Sequence, residues 1–171
     1  MVLAELAGDR DAAKTNWTSK MDRTISPDQK DNAARLAGKV IYTAKTTTTG
    51  GRENGHSRSS DGQLDVKLSL PSSARIGTNP EQLFAAGWSA CFESSMGIAA
   101  HLRKIAVPGI AIDAEVDLHL ADGEYFISAR FNINLPGLDR DIARLLVEDA
   151  EQICTYSKAT RGNIDVVFNL V

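Results

Sequence analysis

Residues 83 to 100 carry Leu83, Phe84, Trp88, Cys91, Phe92, Met96 and Ile98, and they present apolar side chains on nearly every face of any helix they form. The segment before them, Thr78-Asn79-Pro80-Glu81, supplies a cap at Thr78, a proline early in the first turn and an acid three residues after the cap, and no further proline intervenes before Pro108. A helix without a polar face must be covered on all sides. The rest of the chain therefore has to be arranged around it. A small domain with one other helix can hardly cover it alone, which predicts that a second copy of the chain packs against it.

The segments that could supply this cover read as strands and one further helix. Val40, Tyr42 and Ala44 alternate with polar residues and lead into the β-branched tract Thr46 to Thr49, predicting a strand that ends at Gly50-Gly51. Asp61-Gly62 followed by Leu64, Val66, Leu68 and Leu70 predicts a hairpin turn and its second strand. Two more alternating runs, Ile110 to Leu120 and Tyr125 to Ile133, are joined by Ala121-Asp122-Gly123. An amphipathic helix opens at Leu138-Asp139 with Ile142, Leu145, Leu146, Ala150 and Ile153, and the chain closes on the strand Ile164/Val166/Phe168/Leu170. The order β-β-β-α-β-β-α-β describes an α+β domain of residues 38–171. Residues 1–37 have few large hydrophobes and read as an N-terminal extension, with a short helix starting at Ser26-Pro27-Asp28-Gln29.

Composition narrows the possible functions. A chain of 171 residues buries enough surface to fold without disulfide staples or a structural metal. Its 19 basic and 22 acidic residues give a net charge of −3, which argues against a nucleic-acid partner. No apolar stretch is long enough for a membrane span, and Met1 to Arg10 lacks the pattern of a signal peptide. Glu5, Asp9, Asp11 and Asp22 argue against an organelle transit peptide. A cytoplasmic location is the expectation, and there disulfides are usually transient and catalytic or redox-sensing.

The two cysteines, Cys91 and Cys154, acquire meaning in that setting. A cysteine in an apolar helix is ordinarily a small buried hydrophobe. For Cys91 to react, its thiolate must be favoured against an apolar setting, and it lies too far from the start of its own helix for that dipole to act. A cation is needed. Arg52 follows Gly50-Gly51, where a permissive backbone can turn the chain, while Arg58 and Arg161 are competitors. The cysteines with scattered His56, His101 and His119 lack the spacing of a metal site, so no metal and no bound cofactor is expected.

Four segments carry a resemblance: Thr49-Gly50-Gly51-Arg52; Ser59-Ser60-Asp61-Gly62; Thr78 to Phe92, which reads TNPEQLFAAGWSACF; and Cys154 to Ile164, which reads CTYSKATRGNI. Together they resemble the organic hydroperoxide resistance (Ohr) branch of the Ohr/OsmC family, over about residues 39 to 171. The resemblance implies a homodimeric thiol peroxidase that reduces alkyl or lipid hydroperoxides to alcohols. Its disulfide would be reduced again by dihydrolipoyl groups on a lipoylated partner protein. Carried over to this chain, Cys91 matches the peroxidatic cysteine, Cys154 the resolving one, Arg52 the arginine that stabilises the thiolate, and Glu81 the glutamate that holds it. Two positions depart from the pattern: Thr155 stands where proline is usual and Lys158 where asparagine is common, and the expectation is that neither touches a reacting atom, so that they bear on the rigidity of the loop around Cys154 more than on activity.

Under this reading Glu81 would fix the guanidinium of Arg52 in a bidentate pair, and Phe84, Trp88, Phe92, Met96 and Tyr156 would line a pocket for a bulky organic group. Glu81 and Cys91 are ten residues apart on one expected helix, about 15 Å along its axis and on different faces. One arginine touching both within a single chain is difficult to build. The expectation is that the arginine and glutamate of one chain serve the cysteine of another, unless the helix begins after Glu81. A redox sensor or a hydrophobic-ligand carrier with inert cysteines remain the alternative classes.

Overall fold

The computed structural model describes residues 38–171. The expected extension of residues 1–37, with its helix start at Ser26, lies outside the described residues. Lys45–Val171 forms a compact unit of mixed α and β structure. In it, β1 (Thr46–Thr49) is followed by a single turn α1 (Gly51–Asn54), then β2 (His56–Ser59) and β3 (Asp65–Lys67). After these come the long helix α2 (Pro80–Arg103), β4 (Ala111–Ala121), β5 (Glu124–Asn134), α3 (Arg140–Ile153), α4 (Thr155–Thr160) and β6 (Asp165–Leu170). The α+β class stands, with α1 and α4 added to the expected order.

The strands form two three-stranded sheets, β1-β2-β3, which is antiparallel throughout, and β4-β5-β6, in which β4 and β5 are antiparallel and β5 and β6 parallel. In the β4–β5 hairpin, Asp122 (φ 51°) and Gly123 (φ 79°) both take the left-handed conformation. This is the two-residue turn whose twist matches that of the flanking strands. It sets the register Ala121 opposite Glu124, which carries Val116 opposite Ala129, Ala114 opposite Phe131 and Ile112 opposite Ile133. One face of the sheet thereby becomes apolar along its length and receives α2 and α3. Trp88, Phe92, Met96, Phe131, Ile133 and Leu146 are fully buried there.

Three sequence expectations are corrected. The strand expected from Val40 begins only at Thr46, because its partner β2 ends at Ser59 and the last bond runs from Ser60 N–H to Lys45 O. The strand expected over Leu64 to Leu70 is confined to Asp65–Lys67, after which Leu68 makes an isolated bridge to Thr78. The cap of α2 is Asn79 rather than Thr78: its side chain accepts from Gln82 N–H at 2.8 Å, and Pro80 occupies the first helical position, where its missing N–H costs nothing. Among the described residues α2 is also covered on one side only, leaving Ala86, Ala90, Ser94, Gly97 and Ile98 exposed. Among the described residues no helix is long and apolar enough to cross a membrane.

Candidate active site

The two cysteines meet where α2 passes the junction of α3 and α4. Cys91 lies on the face of α2 that also carries Phe84, Trp88 and Ser95, at helical spacing. Cys154 alone separates the two shorter helices. Its N–H closes α3 on Ala150 O at 2.8 Å and its C=O opens α4 by accepting from Lys158 N–H at 3.0 Å, while its backbone (φ −59°, ψ 125°) turns the chain between them. The turn buries the Cys154 side chain completely and puts its Sγ 3.2 Å from Cys91 Sγ, with both cysteines free.

The same turn aims the start of α4 at Cys91. Thr155 Oγ1 lies 3.4 Å from the Cys91 sulfur. Burial pushes the Cys91 thiol up, but the Thr155 hydroxyl, the Tyr156 N–H, the Cys154 thiol and the Thr155 N–H together outweigh it and bring the group down to about 7. Cys154 goes the other way, raised first by burial and further by its neighbour Cys91. The more accessible sulfur is thus the one favoured as thiolate. Donors from the separate helix α4 contribute to this, and sequence spacing gave no sign of them.

α4 is held on α2 by a few contacts. Trp88 Nε1 donates to Ser157 Oγ at 3.2 Å, both groups being buried. Phe84 meets Tyr156 edge-on at 6.2 Å between centroids. Gly87 makes room for the phenol, since a Cβ there would lie 3.1 Å from the Tyr156 oxygen.

Arg52 reaches its place through Gly50 (φ 74°) and Gly51 (φ 64°), two successive left-handed residues that reverse the chain after β1. Its Nη2 donates to both oxygens of Glu81, at 2.9 and 2.8 Å. One nitrogen spans the carboxylate, in place of the parallel fork expected. Glu81 sits in the first turn of α2, where the helix dipole favours an acid. The Nε of Arg52 is buried and has no partner among the described residues. The competing arginines are engaged elsewhere, Arg58 with Asp65 at 3.4 Å and Arg161 with Glu151 O at 2.9 Å.

The structure therefore brings Cys91 to Cys154 and Arg52 to Glu81, and among the described residues no hydrogen bond joins the two pairs. α2 includes both Glu81 and Cys91, so the alternative in which the helix starts after Glu81 is excluded. Beside Arg52 and Glu81 opens a cleft of about 670 Å³ whose further walls include Ala85, Val116, Leu118 and Tyr125. Of the expected pocket residues, Phe84 and Tyr156 are partly exposed, Phe84 two turns before Cys91 on the same face of α2, whereas Trp88, Phe92 and Met96 are wholly buried core. Phe92 stacks on Phe168 at 4.9 Å, and Trp88 meets Phe131 edge-on at 5.0 Å, so these rings have no surface to offer a substrate.

A family model described as OsmC-like protein matches residues 71–169. The chain belongs to the Ohr/OsmC family. Among Ohr/OsmC relatives it is 47% identical over 137 residues to the organic hydroperoxide resistance protein of Xanthomonas axonopodis pv. citri, covering 77% of this chain and 96% of that one. The crystal structure of the organic hydroperoxide resistance protein OhrB of Bacillus subtilis superposes with a TM-score of 0.73 at 42% identity, over 77% of this chain and all of that one (100%). That of an organic hydroperoxide resistance protein from Legionella pneumophila does so with a TM-score of 0.73 at 37% identity, over 77% of this chain and 98% of the other.

Proposed function

We propose that the protein is a thiol peroxidase for organic hydroperoxides. The single observation that carries this reading is the pair of unequal sulfurs 3.2 Å apart, one accessible and favoured as thiolate, the other buried and protonated. The Cys91 thiolate attacks the terminal peroxide oxygen, the O–O bond breaks, and the alkoxide leaves as the alcohol after taking a proton. Cys91 becomes a sulfenic acid. The Cys154 sulfur, giving up its proton, attacks the Cys91 sulfur and expels water, forming the disulfide. A dihydrolipoyl dithiol on a lipoylated partner protein then exchanges with the disulfide, restoring both cysteines and becoming a cyclic disulfide itself.

Arg52 serves the reaction by donating to the thiolate and the peroxide oxygens of a second copy of the chain. Three features support sharing: Glu81 holds Arg52 within its own chain, the two pairs have no hydrogen bond between them, and the Arg52 Nε is buried with no partner among the described residues. The apolar walls of the adjoining cleft favour an organic over an inorganic peroxide. The proposed setting is the cytoplasm, where a reductant keeps the pair cycling.

The test is steady-state turnover of an alkyl hydroperoxide with dihydrolipoamide against glutathione as reductant. Sustained turnover with the dithiol, abolished by Cys91→Ser, is expected. A single oxidation without turnover by either reductant would identify a sensor, and peroxide reduction retained in Cys91→Ser would remove the cysteine from the chemistry.

A further inference from the structure

We infer that the hydroxyl of Thr155 is a catalytic donor to the Cys91 sulfur and holds that residue as its thiolate. The inference begins with position. Thr155 is the first residue of α4, and its Oγ1 stands 3.4 Å from Cys91 Sγ across 64 residues of sequence. A hydroxyl can donate or accept, but a thiolate only accepts, so once Cys91 ionises the hydroxyl has one orientation that bonds. The branched side chain of threonine restricts its χ1 angle, which keeps the oxygen facing the sulfur at little entropic cost.

No structural task competes for this oxygen. It has no other hydrogen-bond partner among the described residues, and α4 carries no side-chain cap. Thr155 is itself exposed, so packing does not require it. Apart from the Arg52 of a second copy proposed above, the surroundings leave few other groups to govern Cys91. The junction of α3 and α4 contributes the Cys154 thiol, and Tyr156 of α4 contributes a backbone N–H while its phenol stands over Gly87. The other elements packed on α2 turn apolar residues inward, Leu146 and Ala150 from α3 and Ala114 and Val116 from β4. On α2 itself Glu93 is exposed and Glu81 is taken by Arg52. The hydroxyl of Thr155 is thus the one side-chain O–H or N–H among the described residues that bonds the sulfur.

The inference rests on Cys91 acting as a thiolate, as proposed above, and its test needs no peroxide. The reduced full-length protein is alkylated with iodoacetamide from acid to alkaline pH, with the rate at Cys91 assigned by peptide mass spectrometry. Thr155→Val, which removes the hydroxyl and keeps the shape, is expected to move the midpoint to higher pH and slow alkylation at neutral pH by about three- to tenfold. The alkaline plateau stays unchanged. Thr155→Ser restores most of the shift. Thr155→Pro fits the first helical position but loses the N–H as well, and moves the midpoint further. A Thr155→Val curve superposed on the wild type overturns the inference. So does a rate lowered equally at every pH, since that marks a change of access. Shifted curves in a protein that fails to reduce hydroperoxides would leave the role of Thr155 standing and remove the peroxidase reading.

Discussion

The buried thiol of Cys154 stands 3.2 Å from the sulfur of Cys91 and donates to it, so the two cysteines are unequal before any oxidant arrives. The inequality is self-reinforcing. A proton kept on Cys154 by burial is a donor that favours the Cys91 thiolate, and that thiolate disfavours a second negative charge beside it. The proposed order of events, attack by Cys91 and resolution by Cys154, rests on this inequality.

Alkylation of the reduced protein should reflect the same order. Cys91 should react with a midpoint at about 7. Below that midpoint the thiol is protonated, and the rate falls roughly tenfold for each pH unit. Cys154, raised by burial, should stay unmodified at neutral pH. Peptide mapping after a brief pulse of reagent checks both, and preferential labelling of Cys154 would reverse the assignment.

Arg52→Ala should lower kcat/KM for an alkyl hydroperoxide by about a hundredfold, the scale found when one charged or hydrogen-bonding stabiliser is removed. Stability should change by no more than about 1 kcal/mol, because the Arg52 side chain is 38% exposed and its ion pair with Glu81 is screened by solvent. Glu81→Gln keeps an acceptor but loses the charge, and a smaller loss of about tenfold is expected. Urea denaturation beside steady-state kinetics separates the effects. A large loss of stability in either variant would make the pair a structural brace.

If Arg52 of one chain serves Cys91 of another, inactive variants should complement each other. Mixed and reassociated, Arg52→Ala and Cys91→Ser chains yield hybrid dimers in which the intact arginine faces the intact cysteine. Random pairing should restore about a quarter of the activity of an equal amount of wild-type chain. A site confined to one chain gives no recovery. The readout is turnover after mixing, with each variant alone as the baseline.

Much of this was legible in the sequence because the deciding signals are local. Alternation along β4 and β5 fixes which residues face the core, and Asp122-Gly123 fixes the register between them. Asn79-Pro80 marks the start of α2 to within a residue. Val40 to Ala44 alternates without forming a strand for the opposite reason: alternation is a local property, but a strand also needs a neighbour, and β2 has run out by then. α4 is too short for helical periodicity to register, and it forms because Cys154 breaks α3. The donors that α4 brings to Cys91 therefore leave no mark in the sequence spacing. The expectation that Thr155 touches no reacting atom is corrected for this reason: its hydroxyl lies 3.4 Å from the Cys91 sulfur.

The apolar residues of α2 divide into core and site, and mutation should separate them. Phe92 is fully buried against Phe131 and Phe168, so Phe92→Ala removes a ring from a packed interior and should cost about 3–5 kcal/mol in urea denaturation. Whatever fraction stays folded should keep its KM for a bulky hydroperoxide. Tyr156, 39% exposed and in contact with Phe84, should behave in the opposite way. Tyr156→Ala leaves its backbone N–H at Cys91 and empties no closed cavity, so its stability cost should stay below about 2 kcal/mol. It does remove an exposed aromatic ring from the residue whose N–H meets the sulfur, and KM should rise severalfold for a bulky organic hydroperoxide while changing little for hydrogen peroxide. Equal effects on the two peroxides would take Tyr156 out of the substrate's surroundings, and a KM change in Phe92→Ala without loss of stability would return Phe92 to them.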